Sequence, residues 1–226
     1  FNAADTSAAS TGKRLSVAQE LRWLHLPSAG ADRYADRSLF VREDVVISSS
    51  KGVFAQPIAE HVLAMMLAFS RNLHVYGEQQ ARAEWKRLPP VCDFAGSTVG
   101  ILGLGHIGEA IASRAAALGA RVIAVKRTGG APPPFVAELY DESGVDRVVE
   151  AADFLVLSLP RTPRTEGILS GARIARMKQG AFVFNIGRGS AIEQPALERA
   201  LAEDRLGGAG LDVTDPEPLP AESGLW

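Results

Sequence analysis

Val99-Gly100-Ile101-Leu102-Gly103-Leu104-Gly105-His106-Ile107-Gly108 is a short apolar run that passes directly into Gly-x-Gly-x-x-Gly, with the alanine-rich stretch 110–117 behind it. A compact run rich in aliphatic residues reads as a buried strand and the alanine-rich stretch as a helix, so the glycines fall on a strand-to-helix turn. Each has a separate use: Gly103 permits the tight turn, Gly105 lets a pyrophosphate approach the backbone, and Gly108 lets helix and strand pack closely. The first helical turn, which includes His106 and Ile107, presents free N–H groups at the positive end of the helix dipole, where phosphate charge is stabilised. Glycines gather at many tight turns, and the motif gains its meaning from lying between a strand and a helix.

The next expected strand, Arg121 to Val125, ends where an acidic residue commonly holds the adenosine ribose of a dinucleotide. Here the residues are Lys126-Arg127-Thr128. A carboxylate would accept hydrogen bonds from the ribose hydroxyls and repel a 2′-phosphate, whereas Lys, Arg and Thr offer donors and positive charge. The sequence therefore favours NADP over NAD, the alternative being a solvated basic loop.

Outward from the glycine turn the βα alternation is regular. Runs near 154–159 and 181–185 and the approach to Leu211-Asp212-Val213 read as strands, 107–118 and 193–202 as helices, and 129–134 as a Gly/Pro-rich loop. This is the pattern of an α/β doubly wound parallel sheet, a Rossmann-type cofactor domain. Upstream, a helix-like segment and the apolar runs 21–26 and 45–48 read as parallel strands with crossovers, too short for a full domain. From Pro57, residues 58–73 are apolar nearly all round and read as a buried connector helix, while 74–95 read as a tail and loop. The expected domains are residues 1–73, with the connector helix, and residues 74–226, the dinucleotide-binding domain.

Composition narrows the function. The 226 residues are 46% hydrophobic and 22% charged, enough for a sizeable core. A formal net charge of -2, with both signs mixed along the chain, provides no basic field for nucleic acid or an anionic membrane. The longest apolar candidate for a membrane span, 62–69, is bracketed by His61 and Arg71 and is too short. The single cysteine, Cys92, forms no internal disulfide, and residues 1–11 lack the basic start and apolar core of a signal peptide, which together point to the cytoplasm. No metal site is expected. The chain opens on Phe1 and reads as part of a longer one.

Six segments taken together carry a resemblance: Ser28-Ala29-Gly30-Ala31-Asp32, Gly52-Val53 with Ala59-Glu60-His61, Gly103 to Gly108, Leu159-Pro160-Arg161-Thr162-Pro163, Asn185-Ile186-Gly187-Arg188-Gly189, and Asp212 to Pro220. Their order resembles that of the D-2-hydroxyacid dehydrogenase family from about Leu21 to the last residue. With Lys126-Arg127-Thr128 the chain looks most like the NADPH-dependent glyoxylate and hydroxypyruvate reductase branch. The resemblance implies a partial flavodoxin-like substrate domain before the cofactor domain, and hydride transfer from NADPH to a small 2-oxo acid, giving the D-2-hydroxy acid. It implies that Arg188 binds the substrate carboxylate and carbonyl, that Glu217 pairs with an acid/base histidine, and that Ala29 and Gly30 present backbone N–H groups to the carboxylate. Asp212 would hold the nicotinamide carboxamide, and Pro160 and Thr165 would line the cofactor cleft. A homodimer through the connector-helix region is implied as well, with Trp85 reaching toward the partner or serving as an ordinary core or surface residue.

The chemistry fits these roles. Reducing a 2-oxo acid needs a fixed cation to orient the anion and polarise its carbonyl, and a proton donor. The planar fork of an arginine serves the first need and a carboxylate-supported histidine the second. Taken singly, Arg188 reads equally as a solvated turn residue and Glu217 as an exposed loop residue. None of the four histidines, His25, His61, His74 and His106, matches the family's acid/base position, which lies in a Pro-His segment past Trp226. Two other readings remain open: a dinucleotide-sensing binding protein like the corepressors that share the fold, without turnover, and a cofactor domain from an unrelated dehydrogenase.

Overall fold

A computed structural model describes residues 20–27, 30, 42–89 and 91–226, so the expected upstream helix and most of the segment around Ala29 lie outside the described residues. Packing divides the chain into two units, Phe1–Phe54 and Ala55–Trp226. In the first, β1 (Trp23–Leu26) and β2 (Val46–Ser49) pair in parallel, from Trp23 opposite Val46 to Leu26 opposite Ser49. Trp23 Nε1 donates to Ser48 Oγ at 2.8 Å, and the two ring nitrogens of His25 lie 2.9 Å from the hydroxyls of Ser48 and Ser50.

The second unit runs α1 (Ala55–Ser70), α2 (Leu73–Ala81), β3 (Thr98–Leu102), α3 (His106–Ala117), β4 (Arg121–Val125), β5 (Glu138–Tyr140), α4 (Val145–Ala151), β6 (Phe154–Leu157), α5 (Gly171–Arg176), β7 (Phe182–Asn185), α6 (Gln194–Ala202) and β8 (Gly208–Leu211). Its six strands pair in parallel in the order β5-β4-β3-β6-β7-β8, the doubly wound arrangement expected of the sequence. Alternation along each strand separates two cores. Val99, Ile101, Val122, Ala124, Phe154 and Phe184 face α1 and α3, while Leu102, Ile123, Val125, Leu155, Leu157 and Val183 face α4, α5 and α6. Because both faces are covered, the strands are nearly continuous apolar runs.

Helix α1 belongs with the cofactor unit, upstream of the boundary expected at residue 73. Its Ala59, Val62, Leu63 and Met66 are buried in the same core as Ile111, Ala112 and Ala115 of α3, and Arg114 of α3 donates to Gln56 of α1. The expected loop 74–95 begins instead with α2. Its polar sequence, LHVYGEQQA, has no apolar stripe, and the helix is held by tertiary contacts rather than propensity. The His74 ring lies 5.0 Å from that of Phe69, and the Tyr76 hydroxyl accepts from the Leu88 N–H at 3.1 Å. Among the described residues no helix is long and apolar enough to cross a membrane.

Gly100 lies in the centre of the sheet under α4, where a Cβ would sit 2.9 Å from both Val148 Cγ1 and Ala152 Cβ. Gly100→Val is expected to lower the free energy of unfolding by about 1–3 kcal/mol through overpacking. Chemical denaturation checks this, and an unchanged midpoint would contradict the packing of α4 on β3.

Candidate active site

The chain leaves β3 between β4 and β6, where the direction of the connections reverses and a crevice opens at the carboxyl ends of the strands. Two of the three motif glycines there are consumed by packing. Gly103 has φ +102°, and a Cβ on it would lie 2.4 Å from the Ser158 carbonyl oxygen; a Cβ on Gly108 would lie 2.2 Å from the carbonyl oxygen of Gly103. The N–H groups of Gly103 and Leu104 both donate to Val125 C=O at 3.1 Å, which ties the turn to β4. Gly105 differs, because a Cβ on it would meet nothing within 4 Å. It caps α3 with extended backbone and no side-chain hydrogen bond. The first helical turn, with His106 exposed and Ile107 half-buried, is thus open at its N-terminus. This cradle fits a dinucleotide pyrophosphate: the backbone is packed from behind and open in front.

At the end of β4 the Gly129 N–H donates to Lys126 C=O at 2.8 Å, closing a turn with Arg127 and Thr128 at its exposed centre. The three residues divide in role. Lys126 Nζ lies 3.6 Å from Glu109 Oε1 in the first turn of α3, while Arg127 has no ion-pair partner among the described residues. Glu109 was not foreseen as a site residue, although an acid just behind the glycine turn, at the positive end of a helix, is a readable signal. Below the turn, β5 is fixed by Glu138, which accepts from Tyr140 and Arg121. The Tyr140 hydroxyl, and less strongly the Arg121 and Arg147 guanidinium groups, hold the Glu138 carboxyl below the usual range, and the same hydrogen bond pushes the Tyr140 phenol up.

The opposite wall is carried by loops after β6, β7 and β8. Thr165 Oγ1 donates to Pro160 C=O at 2.6 Å and accepts from the Thr162 N–H at 2.9 Å, so Pro160 and Thr165 form one turn. Asn185, buried at the end of β7, staples the Arg188 turn: its Oδ1 accepts from the Gly187 N–H at 3.1 Å and its Nδ2 donates to Arg188 C=O at 2.8 Å. The glycines flanking Arg188 are pinned on both sides. A Cβ on Gly187 would lie 2.6 Å from the Leu159 carbonyl oxygen, and one on Gly189 would lie 2.1 Å from that of Thr214. Arg188 is half-buried and donates to Gly187 C=O at 2.8 Å.

Asp212 follows β8; its N–H donates to Asn185 C=O at 3.0 Å, and its half-exposed carboxylate lies 3.8 Å from His61 Nε2 of α1. Glu217 is exposed further along the same segment. The structure thus gathers the glycine turn, the 160–165 turn, Arg188 and Asp212 along one end of the sheet, through the close approaches at Gly103, Gly187 and Gly189. Gly30 lies in the first unit and Ala29 outside the described residues. Cys92 is half-buried, and burial together with Asp153 and Asp93 raises its thiol pKa, which disfavours a nucleophilic thiolate. No cluster of metal-ligating side chains occurs among the described residues.

Residues 63–226 match the D-isomer specific 2-hydroxyacid dehydrogenase, NAD binding domain, and the chain belongs to this family. It is 34% identical over 219 residues to a glyoxylate/hydroxypyruvate reductase B of Pectobacterium carotovorum subsp. carotovorum, covering 93% of this chain and 67% of that one. It is 28% identical over 209 residues to a glycerate dehydrogenase of Methylorubrum extorquens, covering 88% of this chain but only 62% of the relative's length. Among solved structures, the NADPH-dependent glyoxylate/hydroxypyruvate reductase of Sinorhizobium meliloti, in complex with NADP and sulfate, superposes with a TM-score of 0.80 at 31% identity, covering 94% of this chain and 67% of that one.

Gly105→Ala adds a methyl group that meets no protein atom, so stability is expected to change by less than about 0.5 kcal/mol. Affinity for a nicotinamide dinucleotide is expected to fall about tenfold if the pyrophosphate approaches the backbone at this glycine, as the motif implies. Thermal unfolding and fluorescence titration check the two halves, and undiminished affinity would contradict the placement.

Proposed function

We propose that this chain is the cofactor unit, with part of the substrate unit, of an NADPH-dependent reductase that converts small 2-oxo acids of the glyoxylate or hydroxypyruvate kind to D-2-hydroxy acids. The observation that carries the reading is the convergence of the glycine turn, the Pro160–Thr165 turn, Arg188 and Asp212 on one end of the sheet, held by glycine-mediated backbone contacts. The choice of NADPH is supported by Arg127, exposed at the centre of its turn and without an ion-pair partner among the described residues, beside a Lys126 already engaged by Glu109. The reductase and NADP complexes among the relatives support the same choice.

Bound NADPH supplies the hydride. The protein's own groups then have defined tasks. Arg188, with its backbone fixed by Asn185, offers two parallel donors to a carboxylate and positive charge to the neighbouring keto oxygen, which becomes negative as the hydride arrives. Asp212 would accept a hydrogen bond from the nicotinamide carboxamide, and by the family resemblance the backbone N–H groups of Ala29 and Gly30 would hold the substrate carboxylate. Pro160 and Thr165 shape the cofactor cleft. Glu217 orients the histidine that gives the proton. By the family resemblance that histidine lies in a Pro-His segment past Trp226; within residues 1–226 the ring nitrogens of His25 meet two serine hydroxyls, His74 packs on Phe69, and His61 faces Asp212. We further read the protein as a cytoplasmic homodimer joined through the α1–α2 region. There, the fully exposed Trp85 and the neighbouring Tyr76, Gln79 and Lys86 line a cavity of about 660 Å3.

Two substitutions in the intact protein test the reading. Arg127→Ala is expected to weaken NADPH by about 1.5–3 kcal/mol while leaving NADH nearly unchanged, because only the former loses a charged partner. Equal affinity of the wild-type protein for both cofactors would contradict the choice of NADPH. Arg188→Ala is expected to lower kcat/KM for glyoxylate about 100-fold or more with little change in the Kd of NADPH. Full activity of that variant at limiting substrate would remove Arg188 from the site, and binding of NADPH without turnover of any 2-oxo acid would favour a sensor.

A further inference from the structure

Helix α1 lies along β8 in a fixed register. The first three residues of the strand, Gly208-Ala209-Gly210, are nearly bare of side chains, and side chains of α1 stand against its two glycines. A Cβ on Gly208 would lie 2.8 Å from Cε1 of Phe69, and one on Gly210 would lie 2.9 Å from Sδ of Met65. From Phe69 to Met65 the helix advances about 6 Å, and from Gly208 to Gly210 the strand advances about 6.6 Å, so the two rows keep step in opposite directions. One further step reaches His61 on the helix and Asp212 on the strand side. The third pair is there, with His61 Nε2 at 3.8 Å from Asp212 Oδ1. Helix–strand packing, and not a chance meeting of two exposed side chains, brings the imidazole to the carboxylate.

Resting on the reading that Asp212 stands at the nicotinamide ring, we propose that His61 is a positioning residue for Asp212, and that the pair sets the relative affinity of the site for oxidised and reduced cofactor. The oxidised ring carries a positive charge and the reduced ring none. An unopposed carboxylate therefore favours NADP+. A protonated imidazole facing it offsets that charge and moves the preference toward NADPH, the form a reductase must bind. Other titratable groups on α1 and the elements packed against it are Glu60 on α1, His74 and Glu78 on α2, and His106, Glu109 and Arg114 on α3, while Asp215 and Glu217 follow Asp212 after β8. Several are engaged elsewhere: Glu78 with Arg82, Glu109 with Lys126, Arg114 with Gln56, and His74 against Phe69. Asp212 is the one ion-pair partner of His61 among the described residues.

The test measures Kd for NADPH and for NADP+ in the full-length protein, by nicotinamide fluorescence and displacement, at about pH 6 and about pH 8.5, on either side of the usual histidine range. The pair is half-exposed, so the expected effect is that of a surface ion pair, about two- to fivefold. In His61→Gln at the lower pH, the ratio Kd(NADPH)/Kd(NADP+) rises by that factor. In His61→Lys at the higher pH, the ratio falls. The wild-type ratio moves with pH while those of the two variants stay level, and in an Asp212→Asn background His61→Gln no longer changes it. A purely structural role for His61 would shift both affinities together. That outcome, a ratio moved the same way by Gln and Lys, or a ratio unmoved by either, overturns the proposal while leaving the functional reading intact. Failure of the wild-type protein to bind either cofactor overturns the functional reading and this inference with it.

Discussion

Between Gly103 and Ser158 there is no room for a methyl group, and the same holds between Gly108 and Gly103. The site follows from this crowding. With the strand-to-helix turn seated against the end of β6 and the helix drawn down onto the turn, the N-terminus of α3 has a fixed direction, and the open face at Gly105 is the side left for a ligand. The same device recurs at Gly187 against Leu159 and at Gly189 against Thr214. Successive loops at the carboxyl end of the sheet are thereby held backbone to backbone. A functional arginine on such a turn has its backbone positioned by the main chain, through Asn185 and the close approaches of the two flanking glycines.

Most strands were legible because a parallel sheet covered on both faces must be written in nearly continuous apolar residues. β5, Glu-Leu-Tyr, was not. It is a three-residue edge strand, half-exposed throughout, and its glutamate serves Arg121 and Tyr140 rather than the core. α2 and α5 escaped for related reasons: one buries only Gln79 and the other only Ile174, so neither shows a periodic stripe. The connector helix was legible as an apolar helix, but it spans Ala55–Ser70 and is buried along one side only, and its apolar run does not say against what. Its partner is written in a different place, in the bare glycines of β8 that receive Met65 and Phe69.

The candidate site was legible as a set of motifs and less so as a division of labour. Lys126, Arg127 and Thr128 read as one basic group, yet the fold turns Lys126 toward Glu109 and leaves Arg127 at the exposed centre of the turn. Asn185 stood inside a quoted motif without a role, because its two hydrogen bonds across the Arg188 turn exist only once β7 has ended there. His61 read as a helix residue and came to face Asp212 through a register that neither segment discloses alone. Each of these is a relation between segments distant in sequence, which local pattern does not carry.

The central claim is that the open N-terminus of α3 at Gly105, flanked by the Arg127 turn, is the seat of NADPH. A crystal structure of the intact protein with NADPH tests it most directly. The account predicts the pyrophosphate against the backbone N–H groups that follow Gly105, with the 2′-phosphate beside Arg127 and Thr128. A dinucleotide bound elsewhere, or bound here with its 2′-phosphate turned away from Arg127, would contradict it.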